Sequence, residues 1–483
     1  MKKSLLASLL AISMMSTVLT GCGGNAGDGQ SQTQGQTESQ GETRAESVNE
    51  TEEAAGESEE ASEETFDMSL FENQEGSVKV DPTYVDEKVA PFILSGADYE
   101  SISRDEDYVL PSGVMDFTAV SLDTFFNEEK GDNLIFSPVN MYMALSMLAE
   151  TTEGETRDQI MKALGCDSID QVRERAQALF NQCFENEDGA ISYMGNSMWL
   201  GDGFDYAKET MDAISQYYNG SVMSGSMGSS EYNEALQAWI NAMTGDLLKE
   251  QTSGIEMDPT TVLALVSSLY FKGSWGETFK EGDTSEDTFH GKNGDEQVDF
   301  MHQTLSHGVI YDADHFSAMS LSMSEGNHMW IILPDKDVEM SDLVRDEQVF
   351  KLITSAGNWE SVRNGIVTLS LPKFDLTSDL DIIEGLQSMG IEDVFSFEKA
   401  DFAPLFEDGK KPGDMAVTEV RHAARVKVDE KGVEAAAYTE MMVKLASALM
   451  GDLLEFNVNK PFMFVISNSY EVPLFMGMVN GLK

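Results

Sequence analysis

The sequence predicts an α+β domain, and three observations carry that expectation. Helical spacing is concentrated early, in Met141, Ala144, Leu145 and Leu148 and again in Ile160, Ala163 and Leu164 before Gly165. Strand-like runs come later, over residues 262–271, 329–333, 366–371 and 462–466, the last two rich in β-branched or aromatic residues and bounded by Pro or polar turns. No internal repeat is visible. Helices dominating one half and strands the other point away from strict βαβ alternation.

Composition bounds the function. Across 483 residues, 85 Asp and Glu face 31 Lys and Arg, a formal net charge of −54. Such a chain is repelled by phosphate backbones and anionic lipid surfaces, so nucleic-acid binding is a poor reading. A hydrophobic fraction of 41% with 25 Phe can still fill a large core. Length alone allows two or three domains. Three cysteines are too few for a disulfide scaffold.

The N-terminal elements are the most local. Lys2 and Lys3 precede an apolar run from Leu5 to Leu19, shorter than the roughly 20 residues a spanning helix needs. Residues 1–21 therefore read as a signal peptide. Leu19-Thr20-Gly21-Cys22 resembles the bacterial lipobox, which implies cleavage before Cys22 and its lipidation; the alternative is an ordinary signal with a chance cysteine. Several acyl chains, at about 0.8 kcal/mol per buried methylene, would hold the chain on a membrane. Residues 23–65 contain 12 acidic residues, one Arg and no aromatic residue, so with Cys22 they read as a disordered acidic tether over 22–65. An ideal coil of that length reaches roughly 35–40 Å. Residues 66–112 carry scattered apolar side chains broken by Pro82 and Pro91, and either dock on the main domain or extend the stalk. Residues 113–483 form that main domain.

Enzymatic chemistry finds few parts. No His-Glu-x-x-His pair, Gly-x-Ser-x-Gly elbow or Gly-rich loop ending in Gly-Lys-Ser/Thr is present. His302 and His307 lie five apart, poor spacing for one helical face. No metal and no cofactor are expected. Cys166 and Cys183 lack metal-type spacing and read as buried free thiols, with a disulfide as the alternative.

The informative stretch begins at Val433. Every second residue, Val433, Ala435, Ala437, Thr439, Met441, Val443 and Leu445, is uncharged, whereas Glu434, Glu440 and Lys444 share the other register. In a strand this would give one uncharged face and one charged face. Composition alone favours a helix, since Ala, Glu, Met and Leu are good helix formers.

Glu430-Lys431-Gly432-Val433-Glu434-Ala435-Ala436-Ala437 resembles the reactive-loop hinge of inhibitory serpins. The blocks 133–138, 265–275, 371–374, 456–462 and 473–480 are similar to other serpin motifs and occur in family order over about 370 residues. The resemblance implies the serpin fold: a large central β-sheet, further sheets, surrounding helices and an exposed reactive-centre loop. It implies a suicide substrate for serine proteases, whose cut loop enters the central sheet as a new strand, and hence no enzyme activity of its own. The uncharged face of the loop suits that step, because burying an unpaired charge costs several kcal/mol.

Residue roles come from the same resemblance. Glu430, Gly432, Val433, Ala435, Ala436, Ala437 and Thr439 correspond to the hinge. Trp275, Lys373 and Glu430 correspond to the breach at the top of the sheet, with an ion pair between the last two. Ser137, Asn140, Ser267 and His422 correspond to the shutter beneath it, with His422 as hub. The family usually has Ser where Asn140 stands and Asn where Ser267 stands, so a rewired network is expected. Counting from Glu430 places the reactive bond at Ala446–Ser447, which suits a shallow apolar pocket of the elastase type. Counting back from Phe456 gives Met450–Gly451, and Lys444 would suit a trypsin-like enzyme after a two-residue shift. The expected protein is a monomeric, surface-anchored protease inhibitor outside the cytoplasm of a bacterium. A non-inhibitory serpin that binds or scaffolds is the alternative, and a transporter solute-binding lipoprotein a distant third. The −54 divides as +2 over residues 1–22, −11 over 23–65 and −8 over 66–112, leaving −37 on the domain. That acidity argues against a basic heparin-binding helix and would steer cationic proteases in a salt-dependent way.

Overall fold

The computed structural model describes residues 8–12, 85–99, 102–105, 108–126, 133–187, 189–411, 413–433 and 452–483. Its helices are α1 Ser112–Phe125, α2 Pro138–Glu150, α3 Gly154–Ala163, α4 Ile169–Cys183, α5 Lys208–Tyr217, α6 Ser230–Met243, α7 Lys249–Thr252, α8 Met340–Val344, α9 Glu347–Ser355 and α10 Ile383–Ser388. Its strands are β1 Ser8–Ile12, β2 Ile93–Ser95, β3 Leu134–Phe136, β4 Glu185–Glu187, β5 Ala190–Gly201, β6 Gly220–Gly225, β7 Leu263–Ser274, β8 Ser285–Gly291 and β9 Gly294–Asp312. They continue as β10 Phe316–Ser322, β11 His328–Pro334, β12 Val362–Pro372, β13 Phe374–Asp381, β14 Glu419–Val428, β15 Gly432–Val433, β16 Leu453–Asn457, β17 Phe462–Ser467 and β18 Pro473–Val479.

The first sheet runs β1-β14-β15-β7-β5-β6-β2, with β13 on the other side of β14 and β4 hairpinned onto β5. The second runs β16-β12-β9-β10-β11-β17-β18-β3, with β8 on β9. Among the described residues the strands outside the central sheet form one continuous hydrogen-bonded sheet. The reason is β9, a 19-residue strand that pairs with β8 and β12 and also with β10.

Two elements set the core. Every residue of α2 is buried, as its apolar circumference requires: such a helix is stable only inside. Pro138 opens it where a missing N–H does no harm, and the Ser137 hydroxyl accepts the Asn140 N–H at 3.2 Å. β7 is buried from Ala264 to Gly273, and its near-continuous apolar run belongs to a central strand covered on both faces. Its side chains alternate: Leu265, Leu269 and Phe271 join the main core with α2, while Ala264, Val266 and Tyr270 pack with Trp239 of α6.

The first helix of the main body, α1, begins at Ser112. The segment before it is placed in part. Val89 is buried, β2 pairs with β6, and the Tyr99 hydroxyl donates to the Met194 carbonyl at 3.2 Å, so residues 85–99 lie across the edge of the first sheet. β1 lies in the cleft between β14 and β7, parallel to β14, with Ala11 opposite His422. It belongs to the expected signal peptide. Among the described residues no helix is long and apolar enough to cross a membrane. Cys166 and Cys183 are free and buried, and burial pushes the Cys183 thiol up to about 12.

Candidate functional site

The site is the cleft between β7 and β14. At its top β14 turns back through Asp429–Lys431, where Asp429 N–H donates to the Gly432 carbonyl at 2.9 Å and Lys431 N–H to Asp429 Oδ1 at 2.9 Å. The turn delivers Gly432 and Val433 between the strands as β15. Gly432 lies opposite Ser274, and Val433 opposite Gly273 on one side and Val428 on the other, all antiparallel. Val433 is fully buried. A Cβ at Gly432 would overlap the Gly273 carbonyl oxygen, so only glycine passes here. The place a side chain at Gly273 would take is filled by the terminal methyl of Met323.

The three residues expected at the breach, Trp275, Lys373 and Glu430, converge on this turn. Trp275 is buried; its indole N–H donates to the Asp429 carbonyl at 2.8 Å and its backbone N–H to the Lys431 carbonyl at 3.0 Å. Lys373 Nζ sits 2.9 Å from Glu430 Oε2 and 3.1 Å from Oε1, with the Glu430 side chain 10% exposed and that of Lys373 34%. Burial alone would push the Glu430 carboxyl up, but hydrogen bonds from Lys373 and Thr284 hold it below the usual range. Burial likewise works against the Lys373 ammonium, and the Glu430 carboxylate overcomes it and raises its pKa. This is more than an exposed surface pair. Thr284, whose hydroxyl reaches Glu430 Oε1 at 2.8 Å, and Met323 were not legible in the sequence, since neither lies in a motif and both approach from the second sheet's side of the chain.

Lower in the cleft the structure brings the four residues expected at the shutter together but corrects the expected wiring. Asn140 Nδ2 donates directly to Ser267 Oγ at 3.0 Å, so the exchanged amide and hydroxyl do pair. His422 is not their hub: its Nε2 accepts the Ser137 backbone N–H at 3.1 Å, and the Ser137 hydroxyl is engaged in capping α2. The cause is geometric: the α2 cap places a backbone donor, rather than a hydroxyl, toward the imidazole. His422 is fully buried, and burial pushes its pKa down to about 3. An Nε2 that accepts puts the ring proton on Nδ1, which has no hydrogen-bond partner among the described residues.

Ala435, Ala436, Ala437, Thr439, the Ala446–Ser447 bond, its alternatives Lys444 and Met450–Gly451, and Cys22 lie outside the described residues. The chain returns at Asp452, whose carbonyl accepts the Ile366 N–H at 2.9 Å, and β16 then pairs with β12 from Leu453 opposite Ile366. Among the described residues no group of three or more His, Cys, Asp or Glu is placed to hold a metal.

A family model described as Serpin (serine protease inhibitor) matches residues 112–481. Serpin B4 of Homo sapiens is 25% identical over 374 residues, 73% of this chain and 94% of the relative. Iris of Ixodes ricinus is 26% identical over 360 residues, 74% of this chain and 94% of the relative. Among solved structures, the native state of tengpin, a thermophilic serpin, matches with a TM-score of 0.68 at 23% identity, over 80% of this chain and 100% of that one. The native stressed conformation of Arabidopsis AtSerpin1 matches at 0.65 and 25% identity, over 77% of this chain and 98% of that one.

Proposed function

The chain belongs to the serpin family, and on that premise we propose that it is a suicide-substrate inhibitor of serine proteases, held outside a bacterial cell by lipid on Cys22. Family membership implies protease inhibition by the serpin mechanism; the target class, the reactive bond and the anchor are our reading. In that reading the target's serine oxygen attacks the Ala446 carbonyl, the bond to Ser447 breaks, and the proton passes to the new Ser447 amine. Ala446 is left as an ester on the enzyme. The freed loop then enters the cleft before water removes the ester.

One observation carries the proposal: Val433 already lies in the cleft in an antiparallel register with both flanking strands. Continuing that register sets Ala435 opposite Phe271 and Val426, Ala437 opposite Leu269 and Ala424, Thr439 opposite Ser267 and His422, and Met441 opposite Leu265 and Val420. All of these apolar partners belong to the core around α2, so the uncharged register is the one that turns inward. Thr439 would bring a hydroxyl beside His422, whose Nδ1–H has no partner among the described residues. In the outward register, Glu434 would fall between Lys272 and Lys427, so its acidic side chain meets bases.

Leu445-Ala446 suits an elastase-like pocket. Mixing the chain with pancreatic elastase should give a complex stable to boiling in SDS and release a C-terminal peptide that begins at Ser447 by mass spectrometry. A peptide beginning at Leu445 or Gly451 moves the reactive bond. Cleavage without a stable complex across several serine proteases would favour a non-inhibitory binding or scaffold role.

A further inference from the structure

Resting on that reading, we infer that Arg425 and Tyr270 hold a roof over the cleft that restricts Ala436 of the entering loop to a small side chain. The roof is the turn between α6 and α7. Its near end lies on β7: Gly245 has a φ of +53°, and a Cβ there would stand 2.7 Å from the Tyr270 hydroxyl, so only glycine lets the turn down onto the ring. Its far end reaches β14, where Arg425 Nη1 donates to the Leu247 carbonyl at 2.8 Å. Asp375 fixes the same guanidinium from its other side, accepting from Nε and from Nη2 at 2.7 Å each. Leu248, next in the turn, is buried in one cluster with Trp239 and Tyr270.

Width is not what the roof limits. Val433 is seated opposite Val428 above this level and Ile12 opposite Ala423 below it, and the Arg425–Leu247 contact is made all the same. The limit is height on the outer face. Side chains alternate along both strands: Ala424, Val426, Leu269 and Phe271 join the core around α2, whereas Tyr270 and Ala423 pack with the α6 cluster, and Arg425 reaches the turn. The register that begins at Val433 sets Ala436 between Tyr270 and Arg425, beneath the turn, and Tyr438 between Ser268 and Ala423. On this face the loop thus carries its smallest side chain where the flanking pair is bulky, and an aromatic ring where the pair is small. Alternation by itself gives no reason for that order, since both residues share one face. Arg425 is therefore a positioning residue: it fixes the turn that reads residue size, without a change in the width of the cleft.

The test uses the full chain and two readouts. With pancreatic elastase, Ala436→Leu should raise the ratio of cleaved chain to SDS-stable complex about tenfold, because a side chain pressed against a held turn slows entry. Adding Arg425→Ala frees the far end of the turn and should bring the ratio back to within about threefold of Arg425→Ala alone. The second readout needs no complex: once the loop is cut, resistance to urea should develop about tenfold more slowly in Ala436→Leu than in the wild type, and recover in the double variant. Effects of the two substitutions that merely add would mark a structural lesion and overturn the filter, as would an Ala436→Leu chain that partitions and gains resistance like the wild type. A wild-type chain that gains urea resistance when cut but never holds a protease overturns the inhibitor reading instead, and the second readout then decides the filter alone. A cut wild-type chain that gains no resistance overturns the register from which the filter is drawn.

Discussion

The top and the middle of one cleft are built on opposite principles. At the top Glu430, Lys373 and Thr284 form a charged, partly solvated cluster against a tight backbone turn, and every polar group named there has a partner. In the middle His422, Ser137, Asn140 and Ser267 are neutral and fully buried, and His422 keeps an unpartnered Nδ1–H among the described residues. Charge at the top fastens the turn that sets Gly432 and Val433 between the two strands. Neutrality in the middle lines a cleft in which an uncharged strand can lie, as β1 does with Ala11 opposite His422. A loop strand therefore meets resistance where it enters and complementarity once inside.

Putting a charge on the inward face should produce the largest break in that comparison. Thr439→Arg would carry an unpaired guanidinium to the Ser267–His422 level, at several kcal/mol. The loop should still be cut, but the protease should escape, so the ratio of cleaved chain to SDS-stable complex should rise by more than tenfold; unaltered stoichiometry would contradict the proposed register.

Acid should weaken the middle before the top. His422 has a folded-state value of about 3 against an ordinary 6.5. Its stabilising effect is full above pH 6.5 and is lost as pH falls from there toward 3, by about 1.4 kcal/mol per unit. Glu430 is held below its ordinary value, so its share is present above the usual carboxylate range and persists until the pH falls below it. At pH 5 the native form should thus unfold at lower urea than at pH 7, measured by Trp fluorescence, and His422→Asn should flatten that slope over pH 5–6.5. A slope unchanged in the variant would place the sensitivity elsewhere.

The smallest effect should come from the top. Lys373→Met leaves a largely buried carboxylate that keeps Thr284 as a donor, and should cost about 1–2 kcal/mol in urea unfolding. Because the pair is partly exposed, 1 M NaCl should narrow the gap between variant and wild type. A gap unaffected by salt would mean that packing of the lysine stem, rather than charge, holds the turn.

The sequence revealed the parts of this cleft better than their connections. Motif blocks such as 265–275 and 473–480 identified β7 and β18, and the helical spacing of Met141, Ala144, Leu145 and Leu148 announced α2. The Lys373–Glu430 pair was anticipated and is in place. The shutter wiring was not, because a side-chain inventory does not say whether the Ser137 hydroxyl or its backbone N–H faces the imidazole. Thr284 and Met323 were missed for a related reason: a single Thr or Met carries no local signal, and each acquires a role only when β8 and β10 bring it against the hinge. The docking of residues 85–99 was left open by the sequence, and only the structure sets them across the edge of the first sheet.

By itself the chain determined periodicity: that residues 433–445 carry charge in only one of two alternating registers is a property of neighbouring residues and needs no fold. The tertiary structure alone decided which strands flank Val433 and that its side chain faces the buried core. Those answers depend on contacts such as Ser137 with His422, 285 residues apart, and Asn140 with Ser267, 127 apart. Local sequence sets the spacing of side chains along a strand, but strand register is set by hydrogen-bonded partners drawn from distant parts of the chain, and a slip of one residue would turn every inward face outward.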